Sequence, residues 1–268
     1  MAKNVAKKKA NPVALIDEAI LLADQGSGAE GMDSQDFMIP RISILQQMSP
    51  QINKRDGEYV EGADAGDIFN TVTRTATAGD KGILVVPIKY RRALIEWKPR
   101  TSGGGFIRDH GNDSTILDKC EQDKDTFRHI TDDGNEIVTT AEYYVFTITD
   151  DGIYEPALLS MTGSQLKKAR RWNSMMNQLK VKMSDGTMFS PALFYSGYQL
   201  TTVPEENDKG TWFGWEVEML HGSNGGVIEN IENGSEIYMA ARSFKDSIQQ
   251  GQVKVTPEDA SSGDEEAF

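Results

Sequence analysis

The sequence contains a single cysteine, Cys120, among 268 residues, which excludes an internal disulfide and fits a reducing compartment. No apolar run approaches the roughly 20 residues that a membrane helix needs. The basic stretch from Met1 to Lys9 is not followed by the apolar block and cleavage site of a signal peptide. We therefore expect a soluble, cytoplasmic protein with no membrane partner, long enough to bury a sizeable core.

Motifs for catalysis and for metal binding are also scarce. The three histidines and the cysteine form no His-x-x-x-His or Cys-x-x-Cys pair, so the usual spacing of clustered metal ligands is missing. The cluster Gly103–Gly105 lacks the framing residues of a phosphate-binding loop and predicts a flexible turn. No Gly-x-Ser-x-Gly motif is present. The acid-rich segment 109–136 leaves a two-metal nuclease site open, although a solvated acidic loop is the commoner case. We expect no enzyme and no cofactor.

Positive charge is in deficit over the whole chain but not everywhere along it. The net charge of −13 at pH 7 argues against a nucleic-acid partner. From Pro257 to Phe268, however, there are five acids and no base, and segment 109–136 is also acidic. Segments 89–100 and 167–182 are distinctly basic. Because local potential decides where a polyanion binds, the overall charge does not exclude one.

Strand signals dominate the chain after residue 67. Segments rich in β-branched and aromatic residues predict strands at 68–73, 83–97, 143–149, 154–161, 192–202 and 210–220. The apolar segment 37–46 is expected to join the core. Apolar residues at helical spacing predict helices at 12–25, 164–180 and 235–249. This order predicts a mainly β fold with some helix, an OB-like antiparallel Greek-key barrel with a helix inserted between strand pairs.

Composition predicts three parts of the chain. Residues 1–36 are expected to form a flexible basic N-terminal arm with a short helix, and residues 37–250 the OB-like core. Residues 251–268 form an acidic tail that cannot fold alone because it has too few apolar side chains.

The basic segment that begins at Lys89 interleaves cations with aromatic rings. Binding of an unpaired nucleic-acid strand needs both, because cations meet phosphates and flat rings stack on bases. The candidate residues on this segment and just after it are Lys89, Tyr90, Arg91, Arg92, Trp97, Lys98, Arg100, Phe106 and Arg108. The alternative is a barrel strand with surface cations and with Trp97 in the core.

The predicted helix at 164–180 is the second basic candidate. Its cations Lys167, Lys168, Arg170 and Arg171 occur where no acid is found between Ser164 and Ser184. A solvated helix face explains the same pattern, with Trp172 on the inward arc. On a later strand, Trp212 has to face away from Phe213 and Trp215 because side chains alternate. Trp212 is therefore a further candidate for base stacking.

The acidic tail ends on an aromatic residue, which a merely solubilising tail does not explain. A ring beside the terminal carboxylate suits capture in a pocket with a basic rim. The residues expected to bind a partner are Asp264, Glu265, Glu266 and Phe268. The same acids are expected to compete with DNA for the protein's own cations.

The ending Gly263-Asp264-Glu265-Glu266-Ala267-Phe268 resembles the acidic, Phe-terminated tails of bacterial and T7-type phage single-stranded DNA-binding proteins. It differs from the bacterial tails in ending on Ala-Phe rather than Ile-Pro-Phe. The body is similar to tailed-phage proteins assigned as single-strand binders, at Pro40-Arg41, Leu45-Gln46, Ser49-Pro50, Gly66-Asp67-Ile68-Phe69-Asn70, Glu96-Trp97 and Gly103-Gly104-Gly105-Phe106.

This resemblance implies an OB fold and non-catalytic binding of single-stranded DNA in phage replication or recombination, in the cytoplasm of the infected bacterial host. The tail is then expected to recruit a polymerase, helicase or primase. The oligomeric state is left open, with a homodimer among the options. Two other classes stay open as well: a phage structural or protein-interaction protein that does not bind DNA, and a metal-dependent nuclease.

Overall fold

A computed structural model describes residues 17–32, 36–124, 128–208, 210–220 and 233–253. The chain divides into two compact units, Met1–Phe37 and Met38–Phe268. The first unit contains helix α1 (Glu18–Ala23), which Asp17 caps by accepting a hydrogen bond from the backbone N–H of Ala19. The lysines predicted to make the arm basic lie outside the described residues.

The second unit contains thirteen strands and two helices in its described parts. In chain order these are β1 (Arg41–Ile44), β2 (Ile68–Asn70), β3 (Thr75–Thr77), β4 (Ile83–Trp97), β5 (Phe106–Asp109), β6 (Glu121–Gln122), β7 (His129–Ile130), β8 (Glu136–Ile148), β9 (Tyr154–Met161), α2 (Leu166–Gln178), β10 (Val181–Lys182), β11 (Met188–Phe189), β12 (Tyr198–Asn207), β13 (Gly210–Met219) and α3 (Gly234–Gln249). Short 3-10 helices occur at Pro50–Ile52, Arg100–Ser102, Ser114–Lys119, Gly163–Gln165 and Leu193–Tyr195.

Eleven strands form one sheet with the order β13-β12-β4-β8-β9-β1-β2-β3, and β5, β6 and β7 extend it at the far end of β4 and β8. Strand β1 pairs parallel to β9, with Arg41 opposite Leu158, whereas the other pairs of described strands are antiparallel. The predicted mainly β class with some helix is confirmed. The sequence predicts an antiparallel sheet, whereas the parallel pairing of β1 with β9 makes the sheet mixed.

The sheet curls so that its two ends meet. Gln46, just after β1, accepts a hydrogen bond from the N–H of Phe213 and donates one to its carbonyl, both at 2.9 Å. Thr202 of β12 donates its hydroxyl to the carbonyl of Gly66 at 2.6 Å and its N–H to the carbonyl of Gly79. A Cβ at Gly79 would lie 2.0 Å from the Thr202 hydroxyl oxygen, so this contact requires glycine. The result is a curled half-barrel.

Each face of the sheet is covered by one helix. Helix α2 packs on the concave face, where its buried residues Ala169, Trp172 and Met176 meet side chains from β1, β8, β9, β12 and β13. Helix α3 covers the convex face of β4 and β8, where Ile237 and Ala241 are buried and Phe244 lies against Phe146. The helices predicted at 164–180 and 235–249 are confirmed, and Trp172 lies on the inward side of the first as predicted.

Several strands begin or end at residues other than those predicted. The segment 68–73 forms strand only over β2, and a turn in which Arg74 has a φ of +54° leads to β3, which the sequence does not predict. The segment 192–202 forms strand only from Tyr198, because Leu193–Tyr195 is a 3-10 helix. At its other end this strand runs past the predicted limit at 202, since β12 continues to Asn207. In the described part of the chain, no helix is both long and apolar enough to cross a bilayer.

Candidate nucleic-acid interface

Strand β4 carries most of the predicted site residues and divides them between the two faces of the sheet. Tyr90 faces the concave side, where its ring lies 5.1 Å from that of Tyr143. Lys89 is half-buried and lies opposite Tyr144, whose side chain belongs to the cluster beneath α3. Arg91 therefore follows Lys89 to the convex side and Arg92 follows Tyr90 to the concave side.

The guanidinium of Arg91 is engaged within the protein. It lies 2.7 Å from Asp109 Oδ2 of β5 and 2.5 Å from Glu142 Oε2 of β8. Burial acts to lower the pKa of Arg91, but the carboxylates of Glu142 and Asp109 outweigh it and the pKa is raised. The side chain of Glu142 is only 4% exposed. Arg91 thus joins β4, β5 and β8, and both of these carboxylates depend on it.

Arg92 has the opposite surroundings. It is exposed, lies across the strand from Ala141, and has no ion pair among the described residues. The next concave position along the pairing, Tyr143, donates its hydroxyl to Asn173 Oδ1 and to the Ala169 carbonyl of α2. Arg92 therefore lies beside the part of the concave face that holds α2.

The tip of the β4–β5 hairpin brings two rings and two cations together. Trp97 and Phe106 pair across the strands in an edge-to-face arrangement with ring centroids 5.9 Å apart. Both rings are half-buried, and Lys98 and Arg108 are exposed. Arg100 belongs to the 3-10 helix at the tip, but its side chain lies outside the described part of the structure. We call Trp97, Lys98, Phe106 and Arg108 the hairpin-tip patch.

A buried acid lies beside this patch. Glu96 accepts hydrogen bonds from His110 Nε2 and Asn135 Nδ2, each at 2.8 Å. Burial acts to raise the pKa of Glu96, but these hydrogen bonds and the charges of His110 and Arg108 lower it overall. Glu96 therefore stays ionised and offsets part of the positive charge of Arg108.

Helix α2 presents an unpaired basic arc to solvent. Lys167, Arg170 and Arg171 are exposed and have no acidic partner in the described residues. Lys168, on the flank, pairs with Glu205 of β12 at 2.9 Å. No acid occurs between Glu155 and Asp185 in the sequence, so nothing on the helix itself neutralises the arc. We call Lys167, Arg170 and Arg171 the α2 arc.

The two tryptophans of β13 point in opposite directions, as the alternation predicts. Trp215 is 3% exposed in the core with Phe213 packed beside it. Trp212 is half-buried, and its indole N–H donates to Glu205 Oε2 at 2.9 Å. Because Lys168 also binds Glu205, Trp212 belongs to a contact that ties the β12–β13 hairpin to α2.

The structure places the predicted residues in two patches rather than in one continuous row. Arg92 faces the concave side, where α2 packs, and Trp97 follows it by five strand residues, a distance of about 17 Å. Because side chains alternate along a strand, this odd separation places Trp97 on the convex side. The acidic residues of the tail, together with Phe268, lie outside the described residues, so the structure does not describe their predicted contacts.

The acids of segment 109–136 serve separate local structures. Asp109 binds Arg91, Asp113 caps the 3-10 helix that begins at Ser114, and Glu136 lies 2.8 Å from Arg128. Within the part of the chain that is described, no group of three or more His, Cys, Asp or Glu side chains is arranged to hold a metal ion.

The sequence interpretation missed one exposed element that follows α2. Strands β10 and β11 form a separate two-stranded hairpin in which Met183, Met188 and Phe189 are 53%, 56% and 38% exposed. The signal was present in the sequence, since Asp185-Gly186 is a hairpin turn flanked by apolar residues.

The chain was also compared with known proteins. The model of a family described as Pam3 phage gp34-like protein matches residues 7–254. No curated protein and no solved structure matches the chain. The family match spans both units and every described basic patch.

Proposed function

The chain belongs to the Pam3 phage gp34-like family, and we propose that it binds single-stranded DNA without catalysing a reaction. A family named for a phage protein agrees with the phage origin expected from the sequence. The observation that carries the proposal is the α2 arc: three exposed cations with no acidic partner in the described part of the chain, on a helix whose other side fills the concave face of the sheet.

The charge distribution supports this assignment. In a protein with a net charge of −13, exposed cations without acidic partners are the places where phosphates bind with least competition. The arc is held rigidly, because Trp172 and Met176 are buried beneath it and Tyr143 binds the α2 backbone. A helix whose backbone is already held in place loses little backbone freedom on binding.

The rings needed for base stacking lie further along the sheet. A strand that leaves the α2 arc meets Arg92 on the concave side. To reach Trp97, about 17 Å beyond along β4 and on the convex side by alternation, it has to pass round the end of the β4–β5 hairpin. There Trp97 and Phe106 provide two half-buried rings next to exposed Lys98 and Arg108. Stacking on such rings tolerates any sequence because every base has a π face.

The finer features implied by the resemblance are part of the same proposal. The curled half-barrel supplies an OB-like concave β surface, and the protein acts in phage DNA replication or recombination in the host cytoplasm. Asp264, Glu265, Glu266 and Phe268 recruit a polymerase, helicase or primase. A truncation that removes residues 257–268 should bind oligo-dT more tightly and lose stimulation of that partner; unchanged binding and stimulation would contradict the tail assignment.

The α2 arc is tested by neutralising it. The triple variant Lys167→Ala/Arg170→Ala/Arg171→Ala should bind oligo-dT about tenfold more weakly at low salt. Its log–log salt slope should be shallower by about 2, because each lost phosphate contact removes about 0.7 from the slope for a single strand. The measurement is fluorescence anisotropy of labelled oligo-dT at several salt concentrations.

A matched control removes three exposed cations elsewhere. Lys54→Ala/Arg55→Ala/Arg242→Ala changes the net charge equally, with two cations on a loop and one on α3. It should keep the affinity and slope of the unmodified protein. Equal losses in both variants would show that overall charge matters rather than the arc, and would contradict the proposal.

The second candidate function is a phage structural or interaction protein that does not bind DNA. It is favoured by the apolar side chains on α1, where Ile20 and Leu22 are 55% and 72% exposed. Such a protein should bind its partner with little salt dependence, and oligo-dT should not quench its tryptophan fluorescence.

A further inference from the structure

We propose that the β10–β11 hairpin is a second contact for the DNA strand, in which the ring of Phe189 stacks on an unpaired base. This inference rests on the proposed function, because it adds a stacking residue to the surface formed by the α2 arc. The basic segment 167–182 identified from the sequence reaches Lys182 but does not include Phe189, and the hairpin-tip patch does not include this element.

The hairpin directly continues the basic surface. Only Leu179 and Lys180 separate α2 from β10, and Leu179 already has an extended backbone with a ψ of 124°. Lys180 and Lys182 are exposed, so the run of cations without an acid extends from the helix into the hairpin. Lys180 also binds Ser190 across the base of the hairpin.

The single acid of the hairpin is used in its turn. The carboxylate of Asp185 accepts a hydrogen bond from the N–H of Thr187 at 2.8 Å, and contacts with Thr187 lower the pKa of Asp185. Gly186 takes the left-handed conformation that the turn requires, with a φ of +88°. This fixed turn places Asp185 at the end of the hairpin that is distant from α2.

The apolar residues of the hairpin are not packed into a core, which is the usual role of apolar residues in a strand. Each residue from Lys182 to Ser190 is exposed, and the only pairings are Val181 with Phe189 and Lys182 with Met188. A hairpin of two pairs is marginal in water unless its apolar face is covered. Phe189 shares its face with Val181 and, by alternation, with Met183.

The charge of the hairpin favours a nucleic-acid strand as what covers that face. Lys182 pairs with Met188 and Lys180 binds Ser190, so by alternation both cations lie on the face opposite to Phe189. A single strand that passes round the hairpin satisfies both faces, since its phosphates meet the cations on one and a base covers the ring on the other. Phe189 is thereby assigned to stacking and Lys180 and Lys182 to phosphates.

Three substitutions at one position test the assignment. Phe189→Ala should weaken binding of oligo-dT about tenfold, within the range found when one base–aromatic stack is lost. Phe189→Leu should be as weak as the alanine variant, because it keeps apolar bulk but has no ring. Phe189→Trp should bind at least as tightly as the unmodified protein and gain fluorescence that oligo-dT quenches. The salt slope should not change in any of them, because no phosphate contact is lost.

The control is Met239→Ala, which removes an apolar side chain that is 59% exposed on α3. It should bind like the unmodified protein, and all four variants should unfold at the same urea concentration.

If the unmodified protein does not bind oligo-dT, the proposed function fails and this inference with it. If it binds and the α2 arc variant is weakened, but Phe189→Ala binds normally, only this inference is overturned. Normal binding by Phe189→Leu would also overturn it, because the ring would not matter.

Discussion

Arg91 and Arg92 are adjacent in the sequence, yet the strand gives them different surroundings. Arg91 binds two carboxylates on the convex side, whereas Arg92 is exposed on the concave side without a partner in the described residues. The sequence predicts that these two side chains face opposite ways, but it does not show which one is paired. Glu142 is 51 residues from Arg91 along the chain, and only the β4–β8 register brings them together.

Arg91→Ala should destabilise the fold and leave DNA binding unchanged. Glu142 is almost fully buried, and removing one partner of a buried pair costs about 3 kcal/mol or more because the other charge stays desolvated. Urea unfolding measures the loss of stability. Titration with oligo-dT at urea concentrations below the unfolding transition measures whether DNA binding is unchanged. Unchanged stability together with weaker binding would instead make Arg91 a phosphate contact.

The environment of Glu96 predicts that the stability of the fold depends on pH in the acid range. Its pKa is lowered in the folded protein, so ionised Glu96 stabilises the fold above the ordinary carboxyl pKa of 4.5. That contribution is lost as the pH falls through the lowered folded value. Glu96→Gln should therefore be less stable by about 2 kcal/mol at pH 7, in the range for hydrogen bonds to charged groups, and the difference should narrow below about pH 4.

Urea unfolding of both proteins between pH 3 and pH 7 provides this measurement. Glu155→Gln is the control, because Glu155 is exposed on β9. A difference between the Glu96→Gln variant and the unmodified protein that stays constant over this pH range would show that ionisation of Glu96 does not matter.

At the scale of elements, α2 is both the centre of the concave core and the carrier of the basic arc. Trp172 is fully buried, stacks on Tyr143 at 4.3 Å and meets the edge of Tyr198. Helical periodicity predicts this inward arc, because it depends only on residues of the helix itself. The Tyr143 hydroxyl contacts that hold the helix backbone depend on distant strands, and no local pattern indicates them.

Trp172→Ala should destabilise the protein by about 3–5 kcal/mol, since it leaves a large cavity under the helix. Trp172→Phe should cost less, because it fills most of that volume and removes an indole N–H that has no hydrogen-bond partner among the described residues. Trp212→Ala should cost no more than about 1 kcal/mol through its bond to Glu205. Chemical unfolding of the three variants checks this order, and an equal cost at both positions would contradict the assignment of Trp172 to the core.

At the scale of the whole molecule, the sequence predicts the β-rich class and most strands but not the way the sheet is assembled. An abundance of β-branched and aromatic residues identifies β4, β8 and β9, which are buried on both faces over much of their length. The parallel pairing of β1 with β9 joins residues more than a hundred positions apart, and the meeting of Gln46 with Phe213 closes the curl. Such contacts are fixed by tertiary packing, so the sequence alone leads to an antiparallel barrel.

The distribution of cations over the whole molecule explains how an acidic protein accommodates a polyanion. The described cations are sorted: Arg91 and Lys168 bind acids within the fold, whereas the α2 arc, Lys180 and Lys182 have no acidic partner. DNA then has to bind at these local cations. Its affinity has to fall as the salt concentration rises, because binding releases counterions from the phosphates and added salt opposes that release.

The most direct test is the salt dependence of oligo-dT binding by the unmodified protein, with a duplex of equal length as the comparison. Three to five phosphate contacts predict a log–log slope of about −2 to −3.5 and quenching of tryptophan fluorescence by the single strand. The duplex should bind more weakly, because its bases are not free to stack on the exposed rings. Absence of binding at low salt, or an affinity for oligo-dT that does not change with salt, would contradict the account.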